Sequence, residues 1–148
     1  MLPKSGKDYL FVGAQLLLFV AYAIPINLIE ITYPEWLCYL GFVVLVLGTI
    51  LGIVALFQIN TNLSPFPTPV EKGKLITTGA YHIARHPIYT AIVVAGIGYA
   101  IFQASIYKAL VVVFLLILFY FKSQYEERLL TDKFPAYKDY KKKTRRFI

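Results

Sequence analysis

Long apolar runs alternate with shorter polar ones along this chain. Residues 9–29, 36–57, 87–102 and 107–121 are apolar, and polar connections separate them. The first two runs are each about 20 residues long, enough to cross ~30 Å of hydrocarbon as helices; the third, at about 16, is short for a full crossing. The pattern predicts an all-α integral membrane protein with about four transmembrane helices in one domain over residues 1–148. The last two form a hairpin, turning over residues 103–108.

Local signals sharpen the boundaries. Pro25 should end or kink the first helix. Pro34 and Glu35 suit the first turn of the second, where a missing N–H costs nothing and an acid meets the positive dipole end. Gly48-x-x-x-Gly52 in the second run would let another helix approach closely, and Gly96-x-Gly98 reads as a helix–helix contact rather than a nucleotide loop. The longest polar interval, 58–86, contains Pro65, Pro67 and Pro69, which favour an extended path, and turn glycines Gly73 and Gly79. Pro87 is placed to be the first residue of the third helix, with His86 at its cap. The fourth helix should continue past Phe121 through Glu127 and break before Pro135.

Composition rules out an ordinary soluble globule. Apolar residues make up 58% of the 148-residue chain and charged residues 16%, too few to cover the apolar surface without lipid. The net charge of +7 would suit nucleic acid, but the bases crowd at the ends of the apolar runs, which is a membrane pattern. Lys4 and Lys7 precede the first run, Lys72, Lys74 and Arg85 lie in the central interval, and nine bases follow Phe121. The other two connections hold only Lys108. This distribution predicts both termini, the central loop and the site in the cytoplasm, at the inner membrane if the cell is bacterial. Cys38 has no second cysteine to pair with and reads as a small apolar residue.

Chemistry can reside in two places. In Arg85-His86-Pro87, the free N–H groups of a helix start could meet an anion and Arg85 could add a bidentate grip. The same residues could simply anchor the helix at the interface. Glu126 and Glu127 stand in an otherwise basic tail. They could offset Arg128 and Lys133, or they could bind an ammonium or ribose hydroxyls, or act as a general base. The tail from Tyr137 to Arg146 suits anionic lipid better than nucleic acid, because it contains no recognisable nucleic-acid module. The two histidines, His82 and His86, share one loop without a third ligand, so no metal site is expected.

The stretch LITTGAYHIARHPIY supplies Thr77, Gly79, Tyr81, Arg85, His86, Pro87 and Tyr89. The tail supplies Glu126, Glu127, Phe134, Tyr137, Tyr140, Arg146, Phe147 and Ile148. These two blocks, flanking a helical hairpin, resemble the signature of the isoprenylcysteine carboxyl methyltransferase family, and the upstream SPFPTP looks like that of bacterial members. The resemblance covers roughly residues 62–148. It implies a membrane methyltransferase that uses S-adenosylmethionine, enclosed by the loop and the tail near the cytosolic face. Its acceptor would be lipophilic and would enter from the bilayer: a prenylcysteine-like carboxylate, a phospholipid amine or a small thiol. Carried over, Thr77, Gly79, Tyr81, His86, Pro87, Tyr89 and Tyr137 line the cofactor site. Arg85 lies beside the cofactor or acceptor as a catalytic residue. Glu126 and Glu127 hold charged or hydroxyl groups of the cofactor, and Glu127 is the candidate base for an amine or thiol. Two other readings compete. Membrane sterol reductases that use NADPH share a related Arg-His-Pro-Asn-Tyr stretch, but here Ile88 stands in place of the Asn. A non-catalytic membrane scaffold of the same fold is the other.

Overall fold

A computed structural model describes residues 4–26 and 32–148. The described residues form six helices, in order α1 (Gly6–Ala23), α2 (Glu35–Ile59), α3 (Ala80–Ile83), α4 (Pro87–Phe102), α5 (Ile106–Lys133) and α6 (Tyr137–Lys143). A 3-10 turn, Asn60–Asn62, closes α2. Among the described residues there is no strand, only an isolated parallel bridge between Ala84 and Arg145.

The expectation of four crossing helices is met in part. Helices α2 and α5 are long and apolar enough to cross a membrane. Helix α4 is apolar but has 16 residues. The first helix is shorter than the expected 9–29. It starts earlier, on a capping box in which Ser5 and Asp8 satisfy each other's backbone donors, and it stops at Ala23, two residues before Pro25. Residues 27–29 lie outside those described. The loop expected over 58–86 also contains more structure than its prolines suggested, because α2 runs on to Ile59 and α3 forms one turn at residues 80–83.

Helix α2 turns the usual rule of burial inside out. Its buried residues are Gly41, Gly48 and Ala55, seven apart, whereas Phe42, Leu47, Ile50, Ile53 and Phe57 are exposed. A helix apolar on all sides, with its large residues facing outward, is solvated by lipid. Its small residues meet α4. A Cβ on Gly48 would sit 2.5 Å from the Ala95 backbone nitrogen, and one on Gly98 would sit 2.3 Å from that of Leu45. The two backbones therefore touch where only glycine fits, as the sequence led us to expect of this small-residue stripe.

Helices α4 and α5 form the expected hairpin. Ala104 takes a positive φ of 49° in the connection, and the Ser105 side chain accepts from the Lys108 N–H to start α5. At that end of the bundle the last carbonyls of α1 are capped by α5: Tyr107 donates to Ala21 (2.8 Å) and Lys108 to Tyr22 (2.7 Å). The opposite end of the same helices holds the loop and the tail.

Candidate active site

Pro87 opens α4 with His86 as its cap residue, as expected. The backbone N–H of Arg85 donates to the Arg145 carbonyl (2.9 Å) and that of His86 to the Arg146 carbonyl (3.1 Å). The tail therefore runs alongside the loop. The packing continues with Phe147, whose ring lies 6.2 Å from that of His86. The Tyr140 hydroxyl donates to the Tyr81 carbonyl and ties α6 to α3.

Glu127 is the hub of this end. Its side chain is only 1% exposed. Oε1 accepts from Arg85 Nε (3.0 Å) and lies 2.9 Å from Arg85 Nη2. Arg146 grips both carboxylate oxygens, through Nε at 3.0 Å and Nη2 at 3.1 Å, and Lys141 Nζ is 3.0 Å from Oε2. His86 Nε2 lies 3.4 Å from Oε1 but without hydrogen-bond geometry. The apolar part of α5 ends at Phe121, so Glu127 stands on its polar extension. Burial alone would raise this carboxyl's pKa. The contacts from His86, Arg146 and Lys141 and the charge of Arg85 outweigh burial and hold it well below the usual carboxylate range. A carboxylate held anionic by so many cations is a weak base. Arg85 is equally committed. Its Nη1 donates to the carbonyls of Lys141 (2.8 Å) and Thr144 (2.7 Å), so the bidentate grip expected for a ligand goes to Glu127.

Glu126, one residue earlier, has the opposite setting. Its side chain is 25% exposed and borders two adjoining cavities, called the tail-side and helix-side lobes below. The tail-side lobe, about 110 Å³, is bordered by the proline loop, Tyr81, Arg85, Glu126, Tyr137 and Tyr140. The helix-side lobe, about 310 Å³, is bordered by His86, Ile88, Tyr89, Ile92, Lys122 and Glu126, among others. Ile59, Ser64, Tyr81 and Glu126 border both. Glu127 borders neither. Glu126 Oε2 accepts from the Tyr89 hydroxyl at 2.8 Å and lies 3.8 Å from His86 Nδ1. The Tyr89 ring is stacked between His86 (5.3 Å) and Phe119 (4.6 Å), which fixes its hydroxyl at the cavity wall. The hydroxyls of Tyr81 and Tyr137 are buried without a hydrogen-bond partner. Burial first, then the negative charge of Glu126 for Tyr81 and of Glu127 for Tyr137, push both phenols well above their ordinary pKa, so both remain donors.

A family model for phospholipid methyltransferases matches residues 36–137, which span α2, the loop, the hairpin, both glutamates and Tyr137. The chain belongs to the phospholipid methyltransferase family. It is thus a membrane methyltransferase, and the match begins at Trp36, in a helix where the sequence alone carried no family signal. No curated protein and no solved structure matches the chain.

In this methyltransferase the expected site residues divide into two groups. Tyr81, His86, Pro87, Tyr89, Glu126 and Tyr137 border one lobe or both. Thr77 and Gly79 border neither. Gly79 instead sets the chain direction. It takes φ +62°, and a Cβ there would sit 2.1 Å from Gln58 Nε2, the amide whose oxygen accepts from the Ala80 N–H (2.8 Å) to start α3.

Three residues that sequence reasoning passed over also shape the site. Asp8, 0% exposed, accepts from the backbone N–H of Thr68 (3.2 Å) and from its hydroxyl (2.6 Å), and so ties α1 to the proline loop. Lys122 donates to Gln15 Oε1 (2.6 Å) and to the Pro65 carbonyl (2.8 Å). The signals available in the sequence were charges at the edges of apolar runs, Asp8 and Lys122, and an amide inside one, Gln15, which mark them as functional candidates in a membrane protein.

Proposed function

We propose that this membrane methyltransferase uses S-adenosylmethionine and modifies an acceptor that partitions into the membrane, in the manner of the isoprenylcysteine carboxyl methyltransferases its two blocks resemble. The observation that carries this reading is the pair of adjoining cavities that Glu126 borders. One lobe is bordered by the loop and tail, and the other by apolar residues of α4. The residues present fit the cofactor. Glu126 offers a carboxylate to a cationic group, and Tyr81 and Tyr137 each offer an unused donor. When bound, S-adenosylmethionine supplies a methyl group on a sulfonium for in-line displacement, so positioning carries most of the catalysis. Tyr89 holds the Glu126 carboxylate in place, and the His86–Tyr89–Phe119 stack keeps Tyr89 rigid. Glu127 and Arg85 fasten the tail over the loop, acting as positioning residues. An acceptor that arrives already anionic needs no base from the chain; a phospholipid amine or a thiol would need one, and the cations around Glu127 disfavour it in that role.

The distribution of bases supports a single membrane-embedded domain with the site and both termini in the cytoplasm. Calorimetry of the purified protein in detergent tests the cofactor directly. S-adenosylmethionine should bind and NADPH should not, and Glu126→Gln should weaken binding roughly tenfold or more. Binding of NADPH alone, or equal S-adenosylmethionine affinity in the folded variant, refutes the assignment.

A further inference from the structure

Lys122 is the least expected residue of the helix-side lobe. It stands one residue past the apolar stretch of α5 and is 1% exposed, yet it borders the lobe together with Ile88, Tyr89 and Ile92. Among the described residues no carboxylate lies within 4.0 Å of its ammonium. Its two hydrogen-bond acceptors, the Gln15 amide oxygen and the Pro65 carbonyl, are neutral. An ammonium carries three donors, and no acceptor among the described residues takes the third. The Tyr89 ring, 5.4 Å away, adds a weak face contact. Glu126, which borders the lobe and accepts from Tyr89, and Asp8 act on the Lys122 charge only from beyond ion-pair distance. A buried ammonium with one donor unused and no carboxylate in direct contact gains a partner when an anion enters the lobe.

We propose that Lys122, held in place by Gln15, is an anion-recognition residue that selects membrane-partitioning molecules with an acidic head, a carboxylate or a phosphate. Apolar walls from Ile88 and Ile92 take the adjoining chain, and Lys122 takes the charge. The inference rests on reading the helix-side lobe as the acceptor side of the methyl-transfer site. It concerns which head group is admitted rather than which atom is methylated.

The test is a binding series on the full chain in neutral detergent with four probes of equal alkyl length: a carboxylate, a phosphate monoester, an alcohol and an ammonium. The wild type should bind at least one anionic probe roughly tenfold to a hundredfold more tightly than the alcohol, and the ammonium most weakly. The stronger of the two anions identifies the head group. Lys122→Gln should erase the preference for the anion over the alcohol, and Lys122→Arg should retain most of it. If Lys122→Gln does not fold, the wild-type ranking decides. Equal binding of anion and alcohol by the wild type, or an undiminished preference in Lys122→Gln, overturns the proposal. S-adenosylmethionine is titrated beside the probes. Its failure to bind would overturn the methyltransferase reading while leaving anion recognition to be judged on its own titration.

Discussion

Along the α2–α4 seam, Gly48 and Gly98 let one backbone rest against another. At the loop–tail end, Glu127 gathers Arg85, Lys141 and Arg146 around a carboxylate with no exposed surface to speak of. In lipid, apolar contact between helices gains nothing from expelling water, so the seam depends on close van der Waals fit. At the polar end, short segments with little apolar surface of their own are held by charge instead. α6 has seven residues, too few to be stable as an isolated helix. The seam tolerates no added volume, and the hub tolerates no lost charge.

The largest effect should come from the hub. Glu127→Ala leaves Arg85 and Arg146 without their anion, and loss of one partner from a buried pair costs about 3–5 kcal/mol. Denaturant unfolding in detergent should register that loss, and a change below about 1 kcal/mol would mean that the ion cluster does not hold the tail. Overpacking the seam comes next. Gly48→Val or Gly98→Val forces two backbones apart, for about 1–3 kcal/mol or more by the same assay. Wild-type stability in either variant would show that the seam has room.

Acid should separate the two regions. A carboxyl whose folded pKa is depressed contributes stability in full above its ordinary value of 4.5 and loses it as pH falls toward the folded value. Unfolding measured from about pH 6 down to about pH 3 should therefore steepen below about 4.5 in the wild type and in Gly48→Val. It should flatten in Glu127→Gln. An unchanged slope in Glu127→Gln would assign the acid sensitivity elsewhere. The smallest effect concerns Tyr137, whose hydroxyl is buried without a partner. Tyr137→Phe should leave stability unchanged or raise it by up to about 1 kcal/mol, because an unsatisfied donor is removed. The same variant should bind S-adenosylmethionine less tightly, and a loss of stability with unchanged affinity would mean that the hydroxyl serves the fold.

The seam was far more legible in the sequence than the hub. The glycine spacing of Gly48 and Gly52, the start of α4 at Pro87 and the break of α5 before Pro135 are local signals, set by backbone sterics within a few residues. The different fates of Glu126 and Glu127 are not local. The two are chemically identical neighbours, and only the helical turn between them points one at a cavity and the other at cations from residues 85, 141 and 146. Nor could spacing pair Lys122 with Gln15, which is 107 residues away. The alignment of residues 145–146 with 84–86 was invisible for another reason, because two residues are too few to carry a strand pattern.

The hub also sets an order on biosynthesis. Arg146 follows Glu127 by 19 residues, roughly one to four seconds of elongation at ~5–20 residues per second. For the first 13 residues of that interval the nascent chain contains the carboxylate but neither Lys141 nor Arg146. Glu127 then has only Arg85 as a cationic partner and is poorly suited to burial. The α2–α4 seam, whose residues all precede 103, can close before Lys141 and Arg146 exist, whereas the hub is complete only once both have been added.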